Sequence, residues 1–175
     1  GCMSMATTTV ITSSPPLNYS AEVTNAFASE HTITATTDGT GDYEFQLDDN
    51  PFQESGIFLD VEPGSHVITL KDVSGCGASV TISVGVIDYP QFMTPNEDGY
   101  HDTWNIIGIA NGDPTAKIYI FDRYGKLLKQ LSTFSEGWDG SYNGKPMPSS
   151  DYWFRVEYTE NAAKKIFKGH FTLKR

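Results

Sequence analysis

The chain has 175 residues, room for one large or two small domains, and a formal net charge of −10 that is unevenly placed. Residues 1–86 hold 11 Asp and Glu against a single base, Lys71, whereas residues 87–175 hold 11 acids and 11 bases. So acidic a surface repels phosphate backbones and anionic lipid, which argues against nucleic acid as a partner, and no stretch approaches the roughly 20 apolar residues of a membrane-spanning helix.

In chain order, Gly1-Cys2-Met3-Ser4-Met5 reads as a remnant joined to an internal fragment, with any export signal expected outside these residues. Residues 7–16 are Thr, Ser and Pro apart from Val10 and Ile11, a linker or edge strand, so 1–16 are set apart from the first domain, 17–86. Short alternating segments follow at residues 31–36, 43–47, 57–61, 66–73 and 79–86, separated by Asp38-Gly39, Pro63-Gly64 and similar turn formers. No helical periodicity of useful length occurs, which predicts an antiparallel sandwich. Of the two cysteines, Cys2 and Cys76, the second sits in Gly75-Cys76-Gly77, as a disulfide to a residue outside this sequence or as a free thiol; no base accompanies it for catalysis.

Several of these residues carry a resemblance. Gly41-Asp42-Tyr43-Glu44-Phe45-Gln46-Leu47-Asp48, Phe52, Phe58, Pro63-Gly64-Ser65-His66-Val67-Ile68-Thr69-Leu70-Lys71-Asp72 and Gly75-Cys76 resemble the repeat of SprB-type gliding adhesins. That repeat is an immunoglobulin-like module of cell-surface filaments. The resemblance implies an inward, packed imidazole at His66, which stands in place of the usual Tyr.

Ile87-Asp88-Tyr89-Pro90 is a short boundary without a Gly/Ser run, so it restricts the orientation of the second domain, 87–175. Beyond it, Thr94-Pro95-Asn96-Glu97-Asp98-Gly99-Tyr100-His101-Asp102 forms a sharply bent loop, with a strand expected at 103–107. Two uses of Asn96, Asp98 and Asp102 compete: oxygen ligands for a hard cation such as calcium, or acceptors for backbone amides that hold the turn shut. The calcium pattern is incomplete, because Thr94 and Asn105 stand where acids are wanted.

Further on, Ile118 and Ile120 share one strand face, and Tyr152, Phe154, Val156 and Tyr158 share another, leaving Trp153, Arg155 and Glu157 opposite. Phe167, Gly169, Phe171 and Leu173 line the last strand, and turns are expected at 123–126, Asp139-Gly140 and Asn143-Gly144. These segments predict a second sandwich of seven or so strands. Trp104 and Trp138 are expected in the core, each covering about 200 Å². Trp153 is turned outward beside Arg155, either packed under a loop or free to stack on a sugar or dock on a partner.

Four segments here resemble one family in register. The loop at 94–102 resembles a TPNxDGxxD signature, Lys117-Ile118-Tyr119-Ile120-Phe121-Asp122-Arg123-Tyr124-Gly125 a strand ending in D-R-x-G, Gly137-Trp138-Asp139-Gly140 a WDG turn, and Asn143-Gly144-Lys145-Pro146-Met147-Pro148-Ser149-Ser150-Asp151-Tyr152 the motif NGKxMPSGxY. Together with the final Phe171-Thr172-Leu173-Lys174-Arg175, they are similar to the gliding-motility-associated C-terminal domain of Bacteroidetes, the type B targeting domain of the type IX secretion system. Ser150 and His101 depart from the family's usual Gly and Asn.

The resemblance implies an all-β chain of two consecutive immunoglobulin-like antiparallel β-sandwich domains, the second a secretion signal and the first a spacer or adhesive repeat. It implies the type IX translocon and its outer-membrane shuttle proteins as partners, and a secreted or cell-surface location. Pro95, Asn96, Asp98, Gly99, Asp102, Trp138, Asp139, Gly140, Lys174 and Arg175 are then the expected recognition residues. The rival reading is a calcium-dependent or polysaccharide-binding sandwich, with Trp153 as ligand contact. His31, His66, His101 and His170 are scattered, no nucleophile elbow or zinc-helix motif occurs, and Asp48-Asp49 lie on an acidic, solvated face, so no enzyme activity is expected.

Overall fold

The computed structural model describes Met5, residues 13–75 and residues 77–175. Cys2 and Cys76, and with them the disulfide or free-thiol expectation, lie outside the described residues. Six strands build the first half: β1 (Leu17–Val23), β2 (Ile33–Asp38), β3 (Tyr43–Leu47), β4 (Ile57–Phe58), β5 (Gly64–Asp72) and β6 (Val80–Val86). They pair antiparallel in two three-stranded sheets, β1-β2-β4 and β3-β5-β6. Alternation puts Phe45, Leu47, Ile68, Leu70, Val84 and Val86 of one sheet against Ile33, Ala35 and Phe58 of the other, all buried.

Strand β3 has the bounds its alternation predicts, whereas β4 is shorter than the expected 57–61, because Asp60 takes a left-handed φ of 52° and turns the chain. Strand β1 lies outside the expected segments although Leu17, Tyr19, Ala21 and Val23 alternate with polar residues; of that face only Ala21 and Val23 pack on the core, and a register shift interrupts the pairing between Leu17 and Ser20. Residues 13–16 form no strand; the Tyr43 hydroxyl donates to the Ser14 carbonyl (2.8 Å) and the Ser13 hydroxyl to Asp72 (2.7 Å), strapping the segment across the sheet edge. His66 lies inward in parity with Ile68, its Nδ1 2.7 Å from Asp48 and its Nε2 2.8 Å from the Glu62 carbonyl.

In the second half, β7 (Phe92–Met93) is followed by one helical turn, α1 (Ile109–Gly112), and then by β8 (Lys117–Phe121), β9 (Leu127–Ser132), the small pair β10 (Ser141–Tyr142) and β11 (Lys145–Pro146), and the long β12 (Ser150–Glu160) and β13 (Ala163–Leu173). Five strands form one sheet in the order β7-β13-β12-β8-β9, with β7 parallel to β13 and the other pairs antiparallel. Asn143 and Gly144, both at positive φ (51° and 73°), make the two-residue turn between β10 and β11 that their sequence predicts.

The layer over this sheet is irregular. The strand expected at 103–107 does not form: Trp104 bridges to Trp138, Ile107 bridges to Asp88, and the Asn105 side chain itself accepts the Ile106 amide (2.9 Å), so no continuous ladder develops. Helix α1, absent from the sequence expectation, follows Gly108 at φ 70°, where a Cβ would sit 2.1 Å from the Val86 carbonyl oxygen. Trp104 (0 % exposed) stacks on Phe171 at 4.1 Å, and Trp138 (1 % exposed) meets Tyr152 edge-on at 5.0 Å. Both indole N–H groups are satisfied, by the carbonyls of Pro90 (2.8 Å) and Ser141 (2.7 Å).

Each of the two buried clusters draws its members from one side of the Val86–Ile87 bond. One intrusion crosses it: Phe27, at φ 62°, stacks on Phe167 at 4.1 Å and meets Tyr158 edge-on, while the Ala26 amide donates to Glu160 (2.7 Å). His31 adds a contact of 3.3 Å to Asp88 in the boundary segment, which is thereby held from both sides.

Candidate functional site

Three loops of the second half, at residues 94–102, 122–126 and 137–141, converge at the end of the five-stranded sheet where β13 finishes, and an aspartate closes each. Asp102 Oδ1 accepts the amides of Asn96 (2.9 Å) and Glu97 (2.7 Å), and Oδ2 accepts that of Gly99 (2.7 Å). These amides, Gly99's foremost, hold its carboxyl below the usual carboxylate range. Asp98 Oδ1 accepts the Tyr100 amide (2.8 Å), Asn96 donates its side-chain amide to Asp98 Oδ2 (2.7 Å), and Asn96 Oδ1 accepts the Asp98 amide (3.2 Å). Every side-chain oxygen of the three residues thus accepts at least one N–H within the loop, so a cation there shares those oxygens with donors already in place. Among the described residues, no group of three or more His, Cys, Asp or Glu side chains has an arrangement that could hold a metal.

The next two motifs repeat the device. Asp122 Oδ1 accepts the amides of Tyr124 and Lys126 (both 2.9 Å), and Gly125 takes φ 79°. Asp139 Oδ1 accepts the Ser141 amide (3.0 Å) and hydroxyl (2.8 Å). Burial pushes the Asp139 carboxyl up, but the Ser141 hydroxyl and amide, helped by Lys129, bring it below its ordinary value.

Arg175 ties these loops together. Its Nε donates to the Met147 carbonyl (3.1 Å), Nη2 to the Gly140 carbonyl (3.1 Å) and Nη1 to the Pro95 carbonyl (3.5 Å), while its backbone amide donates to the Ser149 hydroxyl (3.0 Å). Gly140, buried at φ 73°, makes this approach possible: a Cβ there would lie 2.7 Å from Leu173 Cδ1 and 3.1 Å from Arg175 Nη2. Beside this knot, the Lys174 amide donates to the Met93 carbonyl (3.0 Å) and its ammonium stands 4.5 Å above the Phe92 ring, which packs 4.8 Å from His101.

Of the residues singled out from sequence, Pro95, Gly140 and Arg175 therefore meet directly, and Lys174, Asn96, Asp98, Gly99, Asp102 and Asp139 flank them. Trp138 does not belong to the surface. Its ring is buried beneath the loop, so it supports the site and offers nothing to a partner. Trp153 lies elsewhere, on the outer face of the sheet at 43 % exposure. Met147 and Ser149, which complete the knot, were quoted within a motif without a role; only the fold shows that they face Arg175.

Residues 87–173 match the CHU_C type IX secretion signal domain family. The matched span begins at the first residue of the aromatic core and ends with the last residue of β13. No curated protein matches the chain. The type IX match supports a C-terminal secretion-signal role, which implies engagement with that secretion system and export to the cell surface or the medium. Among the described residues, no helix is long and apolar enough to cross a membrane.

Proposed function

We propose that the loop pole around Arg175 is the surface the type IX translocon reads, directly or through outer-membrane shuttle proteins, and that residues 17–86 ride with it as a spacer or adhesive repeat of a gliding-type surface protein. The observation that carries this reading is the convergence of three sequence-distant motifs on one guanidinium. Pro95, Gly140 and Met147 offer their carbonyls to Arg175 only when β13 is docked in the sheet. The surface therefore exists in the folded domain and not in the unfolded chain, so a translocon that reads it selects folded cargo.

The aspartates serve this role by fixing loop shape. A charged carboxylate that accepts two or three amides holds a turn more firmly than a neutral acceptor does. The test is a fluorescent passenger, led by an export signal and fused ahead of the whole chain, expressed in a type IX-competent bacterium and in its translocon-deficient derivative. Release from the competent host alone supports the proposal; periplasmic retention in both overturns it.

A further inference from the structure

The outer face of the five-stranded sheet carries a second grouping, remote from the loop pole. Cross-strand register places Trp153 between Phe121 and His170, and in the next row Arg155 between Tyr119 and Lys168. The Trp153 and His170 rings lie 6.3 Å apart, and the Arg155 guanidinium lies 4.7 Å from the Tyr119 ring centre. A shallow groove of about 420 Å³ runs past Phe121, Arg123, Trp153, Arg155 and Lys168. Asp122 also lines it, but one of its oxygens is taken by the amides of Tyr124 and Lys126, and Glu157 pairs with Arg155 at 2.8 Å beyond the groove. The Arg155 Nε donor finds no acceptor among the described residues.

We infer that this groove binds an acidic polysaccharide, one bearing carboxylates on its sugar rings. An exposed indole beside a phenyl ring offers a flat apolar platform for the C–H face of a pyranose, and the Arg123 and Lys168 cations around it, with Arg155 shared with Glu157, suit carboxylates. A neutral glycan gives those cations nothing to neutralise. The first half of the chain, with its 11 acids and one base, repels an anionic polymer and leaves this face as the favourable approach. The groove is open and flat, which suits a passing polymer chain better than an enclosed small molecule. Binding here does not depend on how the chain is exported.

The test is titration of the full 175-residue chain with oligogalacturonate and alginate oligosaccharides against dextran oligosaccharides, read by calorimetry and by tryptophan fluorescence. Trp104 and Trp138 are buried, so a fluorescence change on binding reports Trp153. The expected result is binding of the acidic oligosaccharides only, weakened by salt, and reduced about tenfold or more by Trp153→Ala and by Lys168→Glu with unchanged thermal melting. Three outcomes overturn the inference: no binding of either acidic oligosaccharide, equal binding of dextran, or binding indifferent to both substitutions. A fourth does so as well: a dimer in sedimentation that Lys168→Glu dissociates, since the face is then occupied by the acidic half of a second copy.

Discussion

The two halves close their cores differently. In the first, two regular three-stranded sheets face each other over Ile33, Phe45, Ile68 and Leu70, and the loops sit at the margins. In the second, one five-stranded sheet is covered by loops, and the cover is pinned by Trp104, Trp138 and the bridge between them. Where both layers are strands, loops add little to the core, and among the described residues Val61 is the one member of that buried cluster outside a strand. Where loops are the second layer, the residues that shape them are core residues or their direct supports, so a signal written there is rigid by construction of the fold.

The largest effect that would break this contrast is at the indoles. Trp104→Ala removes a fully buried ring stacked on Phe171 and costs about 3–5 kcal/mol in urea unfolding, as much as a core truncation between regular sheets. A loss below about 1 kcal/mol would mean the loop layer is not part of the core. Next comes Gly140→Ala, which forces a Cβ against Leu173 at a left-handed φ and costs about 1–3 kcal/mol; the shift of the urea midpoint measures it.

Acid should distinguish the halves more gently. The carboxyls of Asp102, Asp113 and Asp139 in the second half all lie below their ordinary value, as does that of Asp48 in the first. At Asp113 burial pushes the carboxyl up, but the Thr115 hydroxyl and amide and the Thr159 amide outweigh it. A carboxyl depressed by folding contributes stability that is present above its unfolded value, about 4, and is lost as pH falls through the folded value. Thermal melts should therefore fall below about pH 4, and Asp102→Asn should lower the melt at neutral pH while flattening that acid limb. The smallest effect is expected at His101, held at φ 54°: His101→Asn, a residue better suited to that conformation, should alter stability by no more than about 0.5 kcal/mol, and upward, in the same urea unfolding.

The features legible in sequence are those set by local pattern. Alternation gave β3 its bounds and assigned Tyr152, Phe154, Val156 and Tyr158 to one buried face, and Asn143-Gly144 announced its turn. Strand β1 was legible in the alternation of Leu17, Tyr19, Ala21 and Val23, though only the last two are covered, whereas β9 was not, because a bulge opposite Ile120 and Phe121 breaks the alternation of Leu128 and Leu131. Segment 103–107 looks like a strand because Trp104 and Ile106 both point inward, yet its backbone partners lie in two places. At the site, the motif residues were visible and their meeting was not. Local spacing cannot show that Arg175 reaches Pro95, 80 positions earlier, because that contact is a property of the closed sheet.

If the pole holding Arg175 carries the signal, β13 supplies its own control. Lys174 and Arg175 stand at one end of the strand, Lys164 and Lys165 at the other. Paired alanine substitutions at each end remove equal charge from a passenger fusion to the whole chain, and release into the medium is the readout. Lys174→Ala with Arg175→Ala is expected to leave a folded fusion in the periplasm, while Lys164→Ala with Lys165→Ala is released like the unaltered protein. Equal release of both, or equal retention of both as folded protein, would contradict that placement of the signal.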